Sequence, residues 1–276
     1  MALTVNTNIA SLNAQRNLSI TQVSLNKSLQ RLSSGLRINS AADDAAGLAI
    51  SEGMKAQIRS MNQAVRNAND GVSLVQVAEG ALNEVSNVLG RMRELTTQAA
   101  TNTLTATQRS YVNGEYLQLK SEITRIANAT DFNGTKLLQS AKSVAIQVGT
   151  GSKAYDRIGI KLAIMSAGAG GLALTSIGGA SGGVKAQAEL AVIDKAINSV
   201  SKQRASLGAI QNRLQSTINN LQVASENTSA AQSRIADADV AAETANMTRA
   251  NILVQAGTAI LAQANQAPQA ALSLLR

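Results

Sequence analysis

The stretch LSITQVSLNKSLQRLSSGL (Leu18–Leu36) places Leu18, Leu25, Leu29, Leu32 and Leu36 at steps of seven, four, three and four. A helix turns once every 3.6 residues, so these leucines fall along one narrow line. Asn, Gln, Ser, Lys and Arg occupy most of the remaining positions, which leaves the leucines as the seam of a coiled coil. The same arithmetic extends outward. From about Ala41 to Ala100, Val72, Val75, Ala78, Leu82, Val85, Leu89, Met92, Leu95 and Ala99 recur at steps of three and four. A third helical run carries Val112, Tyr116, Leu119, Ile123 and Ile126. A fourth starts near Lys185 with the stripe Leu190, Ile193, Ile197, Val200, Leu207, Ile210, Leu214, Ile218 and Leu221. The last, rich in Ala and Gln, runs from about Ile235 to the C-terminus, with Ile252, Ile260 and Leu261 on its seam and Pro268 as an expected kink or fraying point.

Composition supports long, thin helices over a thick globular core. The 276 residues are 45% hydrophobic, yet only Tyr111, Tyr116, Tyr155 and Phe132 are aromatic, and Pro268 is the sole proline. Large aromatic side chains ordinarily dominate core burial, so a compact enzyme-like interior is hard to build from this chain.

Punctuation between the helices is legible. Ser40 is read as an N-cap, with Asp43 and Asp44 in the positive first turn that follows. Thr105-Ala106-Thr107-Gln108 matches a capping box, and Asp131-Phe132-Asn133-Gly134 is a turn signal. Between residues 141 and 184 the pattern changes. Ser143–Val148 and Arg157–Leu162 read as a β-hairpin, about 143–163, around Gly149-Thr150-Gly151-Ser152, and the Gly-, Ala- and Ser-rich stretch 166–183 reads as a loop. The expected fold class is therefore mainly α. It is an elongated antiparallel helical bundle or coiled coil, with the N- and C-terminal helices paired and a small central β-hairpin.

Several classes of chemistry are excluded or disfavoured. The chain has no His and no Cys, which removes the commonest general base, thiolate nucleophiles and the usual ligands of zinc, haem and iron–sulfur clusters. Gly149-Thr150-Gly151-Ser152-Lys153 lacks the spacing of a phosphate-binding loop, since Ala154 follows the lysine. Asp237, Asp239 and Glu243 read as charges near a helix start, because side chains two residues apart on a helix diverge by about 200°. No catalytic, cofactor or metal site is expected. The net charge of +8 is dispersed and without stacking aromatics, which argues against a nucleic-acid-binding helical protein, the remote alternative. No apolar run of about 18 residues is present to insert in a membrane, and the N-terminal residues do not read as a cleavable signal peptide. Isolated helices with narrow seams are marginal, and a repeated contact that does not close into a ring builds an open filament. The expectation from physics is a self-assembling helical protein.

Two long motifs sharpen this. NTNIASLNAQRNL (Asn6–Leu18) with LQRLSSGLRINSAADDAAGLAIS (Leu29–Ser51), and SRIADADVAAETANMTRANILVQAGTAILAQANQAPQAALSLL (Ser233–Leu275), resemble the two ends of bacterial flagellin, in the correct order. The resemblance implies a homopolymeric flagellar filament, secreted and extracellular. Residues 1–44 with 235–276 would form a coiled-coil inner tube, and residues 45–234 a rod-like helical domain that includes the hairpin. It implies an assembly seam at Leu18, Leu25, Leu29, Leu32, Leu36, Ile252, Ile260 and Leu261. It also implies export unfolded through a type III apparatus, an export chaperone at the C-terminal helix, filament cap and hook-junction proteins as partners, and a Toll-like innate-receptor patch at Arg91, Leu95 and Glu115. The alternative within the same organelle is the hook–filament junction protein. Only the hairpin and the glycine-rich loop are expected to face solvent, in a thin filament without large outer domains.

Overall fold

A computed structural model describes residues 7–178 and 182–273, with side chains described for 7–178 and 183–266. Helix α1 (Ile9–Ser34) begins after Asn8, whose side-chain oxygen accepts the Ser11 backbone N–H at 3.1 Å. It ends at Gly35, which takes the left-handed conformation (φ 70°) and donates its N–H to the Arg31 carbonyl. Such a C-cap favours a residue without a Cβ.

Helix α2 (Ala45–Ala100) is capped differently from the sequence expectation. Residues 41–43 form a turn, and Asp44 rather than Ser40 caps the helix, accepting the Gly47 N–H at 2.8 Å. Ser40 and Asp43 serve the turn before it. The Asp43 carboxylate accepts the Asn39 and Ser40 N–H groups and the Ser40 hydroxyl, and meets Lys27 Nζ at 2.7 Å.

Helix α3 (Ala106–Ala129) opens on the anticipated capping box: Thr105 accepts the Gln108 N–H, and Gln108 accepts the Thr105 N–H. Strands β1 (Asp131–Phe132) and β2 (Thr135–Lys136) pair antiparallel across Asn133 and Gly134, with φ of 48° and 73°. Two successive positive φ values match the right-handed strand twist, which is why Asn-Gly stands there. Strands β3 (Lys142–Gln147) and β4 (Arg157–Leu162) form the second ribbon, in register from Lys142↔Leu162 to Gln147↔Arg157. Ile158, Ile160 and Leu162 point to the core, and Arg157, Gly159 and Lys161 point outward.

Helix α4 runs from Gly182 to Ala236 and helix α5 from Val240 to Ser273. The expected helix start near Ile235 is therefore corrected: Ile235 lies in the last turn of α4, and the break comes at residues 237–239. Asp239 caps α5, accepting the N–H groups of Ala241 and Ala242. Helix α5 continues past Pro268.

The chain divides into two compact units, Met1–Ile58 with Glu226–Arg276, and Arg59–Ser225. The second holds the hydrophobic core. Leu82, Leu89 and Met92 of α2, Tyr116 and Ile123 of α3, Ile160 of β4 and Ile193 and Leu207 of α4 are all fully buried there. The glycine-rich segment departs from the solvent-facing loop that its composition suggests. Met165, Ala167, Leu172, Leu174 and Ile177 are buried in the same core. Glycines let the backbone fold tightly between these anchors; a Cβ on Gly171 would stand 2.2 Å from the Ser166 carbonyl. Residues 179–181 of that stretch lie outside the described residues.

Candidate assembly interface

In the first unit α1 and α5 run antiparallel side by side. Arg31 near the end of α1 faces Glu243 near the start of α5 at 3.7 Å. Leu18 packs on Gly257. At the far end Asn8 Nδ2 donates to the Ala264 carbonyl at 2.7 Å, and Ser11 Oγ donates to Asn265 Oδ1 at 2.7 Å. Where α1 ends, the chain crosses the α4–α5 break. Arg37 N–H donates to the Ala236 carbonyl, the Ala238 N–H to the Gly35 carbonyl, and the Arg37 guanidinium to the Ile235 carbonyl at 2.7 Å. The two bonds from Arg37 satisfy carbonyls that the end of α4 leaves without helical partners.

The seam inside this pair is narrow and made of small or half-buried groups. On α1 it consists of Ser11, Ala14, Leu18, Thr21, Leu25, Ser28 and Leu32, and on α5 of Met247, Ala250, Val254, Gly257, Leu261 and Ala264. Of the residues singled out in the sequence, Leu18, Leu25, Leu32, Leu36 and Leu261 are thus half-buried, whereas Leu29, Ile252 and Ile260 are exposed. They are not alone: Ile9, Leu12, Ile20, Val23, Val240 and Leu253 also present large apolar side chains to the outside. The only buried hydrophobic residues of this unit are Ile38, Ala236 and Ala250, among the described residues. A helix pair with more large aliphatic side chains outside than inside is an unfinished core.

Electrostatics in the unit are local. The Lys27 ammonium holds the Asp43 carboxyl down to about 2, helped by the Asn39 and Ser40 donors against some burial. Glu243 is buried beside Arg31, at the wall of a groove of about 380 Å³ flanked by Ile20, Lys27 and Leu253.

In the second unit, Arg91 donates to Glu115 Oε1 through Nε and Nη2, and to Glu94 through Nη1 at 2.9 Å. Leu95, grouped with Arg91 and Glu115 in the sequence, is only 2% exposed and belongs to the core. The resemblance to a phosphate loop also resolves. The turn Gly149–Gly151 wraps the chain's own Asp156 carboxylate, which accepts the Lys153 N–H at 2.9 Å, and a Cβ on Gly149 would lie 2.1 Å from it. The turn is built around its own anion.

Sequence reasoning missed one buried polar cluster. Glu189 is 2% exposed and accepts the Tyr116 hydroxyl at 2.7 Å, the Thr175 N–H at 2.8 Å and the Thr175 hydroxyl. Burial, and then the Glu189 carboxylate, push the Tyr116 hydroxyl far above its ordinary range. The signal was present: Glu189 falls three residues after Ala186 and four before Ile193, on the apolar stripe of α4. Among the described residues there is no group of three or more carboxylates placed to hold a metal ion, and no helix long and apolar enough to cross a membrane.

Residues 5–143 match the bacterial flagellin N-terminal helical region, and residues 190–275 match the bacterial flagellin C-terminal helical region. The chain belongs to the bacterial flagellin family. It is 48% identical to the flagellin of Halalkalibacterium halodurans, over 99% of both chains, and 45% identical to that of Bacillus subtilis, again over 99% of both. A solved structure of a protein assigned to the flagellar hook-associated class, from Vibrio parahaemolyticus, superposes with a TM-score of 0.58. It covers 71% of this chain and 100% of that one at 16% identity, a likeness of fold alone. As a flagellin, the chain is a structural subunit of the extracellular flagellar filament and polymerises with its own copies. The flagellin relatives match it nearly end to end, so this is a flagellin of short form.

Proposed function

We propose that residues 1–44 with 235–276 form the inner tube of the filament and residues 45–234 the rod around it. The observation that carries this reading is the row of exposed aliphatic residues on α1 and α5, Ile9, Leu12, Ile20, Leu29, Ile252 and Ile260. Copies of the chain stacked along these faces bury them, and each fully buried Leu or Ile contributes about 1.5–3 kcal/mol. Such a pair gains most of its stability on assembly, which suits export in an unfolded state through the flagellar type III apparatus and folding at the distal tip. A chaperone that shields the apolar face of α5 before export, and cap and hook-junction proteins that meet the growing end, fit the same logic. The Arg91–Glu115 pair, exposed on the second unit, is the part of the receptor patch open to a Toll-like innate receptor; Leu95 is buried and not open to one.

The test is seeded growth. Purified monomer added to short filament fragments is followed by electron microscopy, with circular dichroism before and after. Long uniform filaments with a gain in helicity are expected. No growth on seeds, with full helicity already in the monomer, overturns the reading and points to the junction protein.

A further inference from the structure

The α1–α5 seam repeats itself every seven residues. Leu18, Leu25 and Leu32 face inward at heptad spacing, as do the small residues Ala14, Thr21 and Ser28. On α5, Met247, Val254 and Leu261 repeat at seven, and so do Ala250, Gly257 and Ala264. Sliding one helix past the other by a heptad therefore sets leucine against aliphatic and small against small again. Apolar packing alone specifies the register weakly, and a polar group at one position is the usual remedy.

Such a group is present. Pro268 has no backbone N–H, so the carbonyl four residues before it, that of Ala264, lacks its helical donor. Asn8 Nδ2 donates to this carbonyl at 2.7 Å, while Asn8 Oδ1 caps α1 through the Ser11 N–H. The two ends of one amide join the start of α1 to a single point on α5. Pro268 is the only proline in the chain, so proline leaves no second carbonyl of α5 without a donor. At a heptad slip, Asn8 would meet the Gly257 carbonyl, which the Leu261 N–H already serves in a regular helix.

We infer that Asn8 and Pro268 act as a matched pair that sets the register of the two terminal helices. Proline supplies an acceptor with no partner, and asparagine supplies the donor. This rests on the reading of α1 and α5 as the assembly element. Asn8 is thus a positioning residue, separate in role from the aliphatic residues offered to neighbouring copies.

The chain's lack of cysteine makes the test direct. A Cβ built at Gly257 lies 3.8 Å from Leu18 Cβ, the mean separation found across a disulfide. Filaments of Leu18→Cys/Gly257→Cys are oxidised, dissolved in denaturant and run without reductant, so that an intramolecular bond reports the register. Asn8→Ser keeps a good N-cap but cannot reach α5. It is expected to lower the yield of this bond and to raise the critical concentration for polymerisation about fivefold, as the Ala264 carbonyl loses its donor. In a Pro268→Ala background, where the helix supplies its own N–H, the same substitution should change the critical concentration by less than about twofold. Equal effects of Asn8→Ser in both backgrounds, or none in either, overturn the pairing of Asn8 with Pro268. If the disulfide does not form even with Asn8 and Pro268 in place, the antiparallel pairing itself is wrong in filaments, and the inference falls with it.

Discussion

The two units solve the same problem in opposite ways. In Arg59–Ser225, three helices, a ribbon and a glycine-rich segment close over Leu82, Leu89, Met92, Tyr116 and Ile193, so a continuous apolar core forms within one chain. In the terminal unit, α1 and α5 bury a seam of Ser, Ala, Gly and half-covered Leu, and leave Ile9, Leu12, Ile20, Leu29, Ile252 and Ile260 outside. Two helices have only one mutual face, so they cannot cover the rest of their own surface. The contrast teaches that amphipathicity alone does not say where the partner is. The same three-four spacing closes a core in one unit and leaves large aliphatic side chains uncovered in the other.

The most severe test of this contrast is Leu29→Asp. Leu29 is 47% exposed, so the monomer should unfold at the same temperature as the parent, while filament growth on seeds should be lost because a charge would be buried unpaired between copies. Normal filaments in electron micrographs would remove Leu29 from the interface. Leu89→Ala probes the other side. Leu89 is fully buried, and the substitution should lower monomer stability in denaturant titration by about 2–5 kcal/mol. A similar loss from Ile252→Ala, which is 60% exposed, would erase the distinction between the units.

A smaller effect is expected at Glu189. Glu189→Ala leaves the buried Tyr116 hydroxyl and the Thr175 N–H without acceptors and should cost about 2–3 kcal/mol, whereas Glu189→Gln should recover much of it. Limited proteolysis within residues 166–178 should accelerate in the alanine variant, since Thr175 ties that segment to α4 through Glu189.

The smallest effect is electrostatic and belongs to the terminal unit. The Asp43 carboxyl is depressed from 3.8 to about 2 by Lys27, so its contribution is present above pH 4 and disappears as pH falls toward 2. Asp43→Asn should flatten the pH dependence of helicity over that window and make the unit slightly less stable at pH 7, where the Lys27 contact is fully present, with no difference from the parent near pH 2. An unchanged acid limb would mean that the Lys27–Asp43 pair does not stabilise the folded unit.

Much of this was readable in advance, and the failures have physical causes. The Thr105–Gln108 box, the Asn133-Gly134 turn and the β3–β4 pairing depend on contacts within a few residues, so local sequence was enough. Ser40 was misread because Ser and Asp both cap helices, and Asp44 alone stands where it reaches the Gly47 N–H. The glycine-rich segment is a loop over its described residues, as its composition predicts, but the expectation that it faces solvent failed because composition does not report what the loop packs against. Leu172, Leu174 and Ile177 become buried only against helices distant in sequence. Glu189 lay on an apolar stripe, but its partner Tyr116 is 73 residues away.

What the sequence by itself determined is the list of helices, the turns between them, the absence of histidine and cysteine chemistry, and the flagellin resemblance at both ends. These follow from local periodicity, capping and composition. Only the tertiary structure decided which stripes close on one another, that Leu95 is buried while Arg91 and Glu115 stay at the surface, and that Asn8 meets the carbonyl freed by Pro268. Those facts depend on residues brought together from far along the chain, and helical spacing is blind to what lies across the gap.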